Sequence, residues 1–181
     1  MEQVDFGNLA VQYAKKALNM KVIAVDINDD KLNLAKEVGA DYIINSLNED
    51  PTKKIMELTN GGAHGAVVSA VAKVAFDQAV YSVRAGGRVV AVGLPSEMMD
   101  IPIIKTVIDG IEVVGSIVGT RKDLEEAFDF GARGVVVPVV QTRALDEAPE
   151  VFKEMEEGKI QGRMVLDMKK GKGTCGCGHN H

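Results

Sequence analysis

Apolar residues in this chain recur at two alternating spacings. Over residues 6–17, Phe6, Leu9, Ala10, Tyr13, Ala14 and Ala17 fall at helical intervals, with Gln12, Lys15, Lys16 and Asn19 on the opposite face. Residues 22–25 are wholly apolar, a run that predicts a short strand buried on both sides. Asn28 or Asp29 can cap the next helix, in which Leu32, Ala35 and Val38 face inward and Gly39 ends the turn. A strand over 41–45 follows, then a helix opened by Asp50-Pro51 and closed by Asn60-Gly61-Gly62, which places His64 in a loop. The rhythm repeats with a strand over 65–70 and a helix whose inner face is Ala75, Phe76, Ala79, Val80 and Val83. Gly86-Gly87 turns the chain into a strand over 88–93; a short helix over 102–109 and a strand over 111–118 come next. A helix over 122–133 should turn Leu124, Ala127 and Phe128 inward. Such alternation predicts an α/β fold with a parallel sheet.

After Gly134 the character changes. Residues 135–140, a helix near 146–157 and a strand over 163–166 read as an appendage, and residues 169–181 as a glycine-rich, flexible tail. The organisation expected is therefore a main domain over 1–134, a segment over 135–168 and a tail over 169–181.

Composition narrows this picture. Aromatic residues are 4% of the 181 and Trp is absent, so the core must be Val, Ile, Leu and Ala, as buried parallel strands require. The length suits one domain, or one domain and a piece of another. A net charge of -5 with scattered lysines argues against nucleic-acid binding. No apolar run reaches membrane-spanning length, and the acidic start is unlike a signal peptide. The only cysteines are Cys175 and Cys177, so no disulfide framework is expected, and the cytoplasm is the expected compartment.

Two features carry chemistry. Gly7 opens the first helix and Asp26 ends the strand after it, the second half of a dinucleotide-binding fingerprint. An acid at that strand end accepts the adenosine ribose hydroxyls of NAD and repels the extra phosphate of NADP. Taken alone, Asp26 equally suits a solvated turn leading into the Asn28 cap. The strand and two glycines that should precede Gly7 are replaced by residues 1–6, in which Glu2 and Asp5 would repel a pyrophosphate. The second feature is the tail, where Cys175, Cys177, His179 and His181 offer a ligand set for zinc or another soft metal. The spacing is tighter than that of zinc fingers, and a disordered tail with adventitious affinity is the alternative.

The runs GNLAVQYAKK, VIAVDINDDKLNLAKEVGAD, SVRAGGRVVAVGLP, GIEVVGSIVGTRKDLEEAFDF and MEEGKIQGRMVLDM together resemble the zinc-dependent medium-chain alcohol dehydrogenases, nearest the propanol-preferring bacterial type. The resemblance covers about residues 6–168. It implies a Rossmann-like doubly wound parallel sheet, here without its first, central strand, followed by a remnant of the catalytic domain's C-terminal return. It further implies that Gly7 gives close helix–strand packing and that Asp26 and Lys31 hold the adenosine ribose; Lys31 is equally read as a surface lysine. Ser69 and Ala70 would lie near a ribose, Val92, Gly93, Leu94 and Val118 near the nicotinamide, and Arg163 near the pyrophosphate. For the valines, core packing is the alternative.

In that family an alcohol-binding domain with the zinc ligands precedes the coenzyme domain, and no residues here match it. The expected function is thus the NAD-binding portion of an alcohol dehydrogenase, inactive as this chain, with no catalytic residue of its own. The alternatives are an assembly module pairing with a full-length subunit, or a metal binder acting through the tail. In the strand order 3-2-1-4-5-6 the unmatched strand lies between those at residues 22–25 and 65–70. Pro138 makes its own segment a poor filler, whereas residues 163–168 could insert. Otherwise open sheet edges invite a dimer or a full-length dehydrogenase subunit as partner.

Overall fold

A computed structural model describes residues 6–160 and 162–170. Helix α1 (Phe6–Gln12) continues as a π-helical turn over Tyr13–Ala17. Strand β1 (Ile23–Asp26) leads into α2 (Asp29–Val38), where the Asn28 side chain accepts hydrogen bonds from the Asp30 and Lys31 amides. Gly39, at φ 128°, ends that helix in a conformation costly for any residue with a Cβ. Strand β2 (Tyr42–Asn45) is followed by α3 (Pro51–Thr59), capped by Asp50 with proline in its first turn. Then come β3 (Ala63–Val68), α4 (Lys73–Ser82), β4 (Val83–Ala91), α5 (Ile103–Asp109) and β5 (Glu112–Gly115). Helix α6 (Arg121–Ala132) opens with a Thr120–Asp123 capping box. The chain closes through β6 (Val140–Ala144), α7 (Ala148–Glu156) and β7 (Arg163–Asp167).

Among the described residues all strand pairs are parallel, as the alternation predicts, but they form three separate sheets: β1–β2, β3–β4–β5 and β6–β7. Among the described residues no strand joins β1 to β3. The packing divides at the same place. Val68, Phe76, Ala79, Val80, Val83, Val89 and Ile111 form one core around β3 and β4, while Val11, Ala35 and Ala40 form another beneath α1 and α2.

Several expectations are corrected. The strand at residues 163–168 does not enter the space between β1 and β3. It pairs with β6 across α7, because a strand–helix–strand unit satisfies its own parallel ladder locally. The strand preceding α7 begins at Val140, beyond Pro138, because the upstream backbone is already engaged. The buried Gln12 side chain donates to the Val137 carbonyl at 2.8 Å and accepts from the Val137 amide at 2.9 Å. Gln12, on helical periodicity a polar-face residue, is thus buried, as is Asn8. Leu124 and Phe128, expected inward, are exposed at 57% and 69%, and α6 buries none of its described residues. Val83 starts β4 instead of lining α4, and Gly86-Gly87 lie within that strand, at the irregular register between Ala63 and Gly65. His64 lies in β3, with Nε2 2.9 Å from Arg84 Nη1.

Candidate functional site

The chemistry gathers at the C-terminal ends of the parallel strands, where open α/β sheets place their ligands. Asp26 is the last residue of β1. Its Oδ1 accepts from the amides of Ile27 (2.8 Å) and Asn28 (2.9 Å), which fixes the carboxylate at the turn into α2. Oδ2 accepts no hydrogen bond from the described residues. The turn reading and the ligand reading of Asp26 are therefore compatible: one oxygen shapes the turn, the other stays available.

Asn28 and Lys31, beyond that turn, line an open cleft of about 250 Å³. Its far wall is Glu157, Gly158, Lys159 and the buried Ile160, from the chain after α7. Lys159 contacts Glu157 at 2.5 Å, and this carboxylate raises the Lys159 pKa, so its ammonium charge is secure. With Asp30 beside Lys31 on the near wall, the cleft presents two ammonium groups and two carboxylates to whatever enters it. Sequence reading missed the far wall, since nothing in residues 157–160 marks them as neighbours of a turn about 130 residues earlier.

A second group forms where β3 and β4 end. The amides of Val92 and Gly93 both donate to the Val68 carbonyl, at 3.0 and 2.9 Å. That contact brings Val92 and Gly93 against Ser69 and Ala70. A Cβ built on Gly93 would stand 2.2 Å from the Ala70 carbonyl oxygen, so only glycine permits this approach. Leu94 beyond it is 79% exposed. The Ser116 amide donates to the Ala91 carbonyl at 2.9 Å, which draws the end of β5 to the same edge. Val118 follows at φ 31°, a region that β-branched residues rarely occupy, and it is 95% exposed. Core packing is thereby excluded for Val118, whereas Val92 is half-buried.

Gly7 is exposed near the start of α1, and no described atom lies within 4 Å of where its Cβ would be. The close helix–strand packing expected of it is not observed, because the strand that would press on it is not among the described residues. Arg163 opens β7 opposite Val140, its amide donating to the Val139 carbonyl at 2.7 Å. Glu2, Asp5, Cys175, Cys177, His179 and His181 lie outside the described residues. Among the described residues no group of three or more His, Cys, Asp or Glu side chains could hold a metal ion, and no helix is long and apolar enough to cross a membrane.

A family model described as zinc-binding dehydrogenase matches residues 6–133. Among solved structures, the alcohol dehydrogenase of the archaeon Aeropyrum pernix is 32% identical with a TM-score of 0.82, over 88% of this chain and 46% of its own. The acetophenone reductase of Geotrichum candidum, solved in complex with NAD, is 29% identical with a TM-score of 0.79, over 92% of this chain and 47% of its own. Benzyl alcohol dehydrogenase from Acinetobacter calcoaceticus is 26% identical with a TM-score of 0.81, over 89% and 47%. The chain therefore spans about half the length of these structures.

Proposed function

Since this chain belongs to the zinc-binding dehydrogenase family, we propose that it is the NAD(H)-binding portion of an alcohol dehydrogenase. The observation that carries the reading is Asp26, fixed at the end of β1 with Oδ2 unengaged by the described residues, two residues before Asn28, which lines the same cleft as Lys31. Two oxygens that differ in this way suit a ribose: one holds the turn, the other accepts a hydroxyl proton. Lys31 donates to the same sugar, and the negative Asp26 disfavours a phosphate there, which selects NAD over NADP. At the other end, Gly93 and the Ser69–Ala70 backbone leave a surface without projecting side chains, on which a nicotinamide ribose can lie. Val92, Leu94 and Val118 supply its apolar edge, and Arg163 a cation for the pyrophosphate. When bound, NAD supplies hydride transfer.

The ribose end fits the coenzyme better than the phosphate end. Gly7 makes no cradle with the described residues, so binding should be weak in this chain alone. The described residues hold no zinc-ligand set, and activation of an alcohol then rests on residues outside them. We accordingly expect no alcohol turnover from these residues alone. Titration of NADH followed by nicotinamide fluorescence tests the reading. Weak, saturable binding that Asp26→Leu abolishes supports it, as does preference for NADH over NADPH. Tight binding, or equal binding of NADPH, overturns it.

A second reading rests on a surface. Ile103, Ile104, Val107 and Ile108 of α5 are each about three-quarters exposed, next to the edge strand β5. So much contiguous apolar surface marks an interface. Pairing there, with a second copy or with a full-length dehydrogenase subunit, makes this chain an assembly module as well. Sedimentation of the chain alone and with a purified relative checks this: a monomer under both conditions sinks it.

A further inference from the structure

Residues 94–101 run from β4 to α5 almost without hydrogen bonds. Upstream, the Val92 and Gly93 amides donate to the Val68 carbonyl; downstream, the Pro102 carbonyl accepts from the Thr106 amide at 2.9 Å. Between these points, among the described residues, one hydrogen bond reaches the segment: Lys73 Nζ donates to Asp100 Oδ2 at 2.8 Å. Met99, next to Asp100, packs against the core around β3 and β4. Lys73 is the first residue of α4 and follows Ala70 by three residues, so this bond joins the chain after β3 to the chain after β4. The lysine is held from its other side by Asp77, one turn along α4, at 2.7 Å. Asp77 Oδ1 is buried with no hydrogen-bond partner, so this carboxylate depends on Lys73 for its counter-charge. A lysine in the first turn of a helix opposes the helix dipole, and α4 by itself therefore does not account for it. The hydrogen bonds to Asp100 first, and to Asp77 second, raise the Lys73 pKa and keep it charged.

We propose that Lys73 is a positioning residue, the fixed post to which Asp100 ties residues 94–101, and that this tie sets where Leu94 stands at the nicotinamide end. Lys73 cannot follow Asp100 outward without stripping Asp77 of its counter-charge. The Asp100 side chain, 91% exposed, is bonded to nothing else among the described residues. The segment therefore comes to the lysine, and not the lysine to the segment. With the tie in place, the stretch that begins at Leu94 is held at both ends, by the Gly93–Val68 contact and by Asp100. Without it, only the packing of Met99 restrains the chain before Pro102. Asp26 and Lys31, at the adenosine end, belong to β1 and α2 and share no sheet with β4, so a loosened segment leaves them in place. The tie itself needs no coenzyme; its bearing on the nicotinamide rests on the NAD reading.

Asp100→Ala, at an exposed residue, removes the tie and leaves Lys73 paired with Asp77. In the full chain, carbon-13 labelled at its methionine methyls, the Met99 signal should sharpen and move towards that of the exposed Met98. The far-ultraviolet spectrum should not change. NADH affinity should fall about threefold, the scale of one exposed ion pair. ADP-ribose, which lacks the nicotinamide, should bind as before. Lys73→Arg, which keeps the charge and the reach, should retain the Met99 signal and both affinities. An unmoved Met99 signal in Asp100→Ala overturns the proposal, and so does an equal loss of ADP-ribose affinity. Failure of both ligands to bind the unaltered chain sinks the NAD reading instead, and the Met99 signal still decides the tie.

Discussion

At Gly93 the constraint is steric rather than conformational. A Cβ there meets the Ala70 carbonyl oxygen at 2.2 Å, its carbon at 2.9 Å and the Ser69 carbonyl oxygen at 3.0 Å, all of them backbone atoms that cannot swing aside. Gly93→Ala should therefore push β3 and β4 apart at their ends and cost about 1–3 kcal/mol, read as a lower urea midpoint. The NADH affinity should fall in parallel, because the same approach shapes the proposed ribose surface. Asp41 is a different kind of anchor. Its Oδ1 receives Lys15 Nζ at 2.6 Å and its Oδ2 the Val22 amide at 2.8 Å. The Lys15 hydrogen bond first, and the Val22 amide second, hold its pKa below the ordinary value of 3.8. As pH falls below 3.8 the unfolded chain takes up this proton before the folded one does, so stability declines until the lower folded pKa is passed. Above 3.8 the contribution is complete. Asp41→Asn should leave the protein less stable at neutral pH and flatten its acid-side slope below pH 3.8, in urea titrations at successive pH values.

Among the elements, α1 divides what the sequence discloses from what it hides. Its helical period is plain, and so are the caps at Asn28, Asp50 and Thr120, because a capping side chain acts on amides two or three residues away. Gln12 was misassigned for the opposite reason: its partner, Val137, lies 125 residues along the chain. The same limit hid residues 157–160 as one wall of the cleft, and it hid the partnership of β7 with β6. Asp26 was legible because turn and ligand both demand an acid at the end of that strand. Leu124 and Phe128 misled because periodicity reports which face is apolar, not whether the described residues cover it. Gln12 also permits a sharp test. Gln12→Leu keeps the volume but removes two hydrogen bonds to Val137, and should cost about 1–3 kcal/mol in urea denaturation. Gln12→Glu can still accept from the Val137 amide but opposes its carbonyl with a charge. It should be at least as damaging at neutral pH and recover in acid, where a protonated carboxyl can donate.

For the molecule as a whole, the separation of its sheets sets how it comes apart. The core around β3 and β4 contains Phe76 and the fully buried Val80, Val83 and Val89, with Ile111, just before β5, closing it. The core around α1 and α2 rests on Val11, Ala35 and Ala40, two of which are alanines with little surface to bury. No strand among the described residues carries hydrogen bonds from one to the other. Cooperativity in a doubly wound sheet depends on that continuity, so the smaller core should open first, as a separate unit. Hydrogen exchange across a series of subdenaturing urea concentrations should show the amides of β1 and β2 merging into a low-energy opening. Those of β3 and β4 should hold until global unfolding. A single isotherm shared by β1 and β4 would mean that α3, which packs between the two halves, couples them more strongly than the sheets divide them.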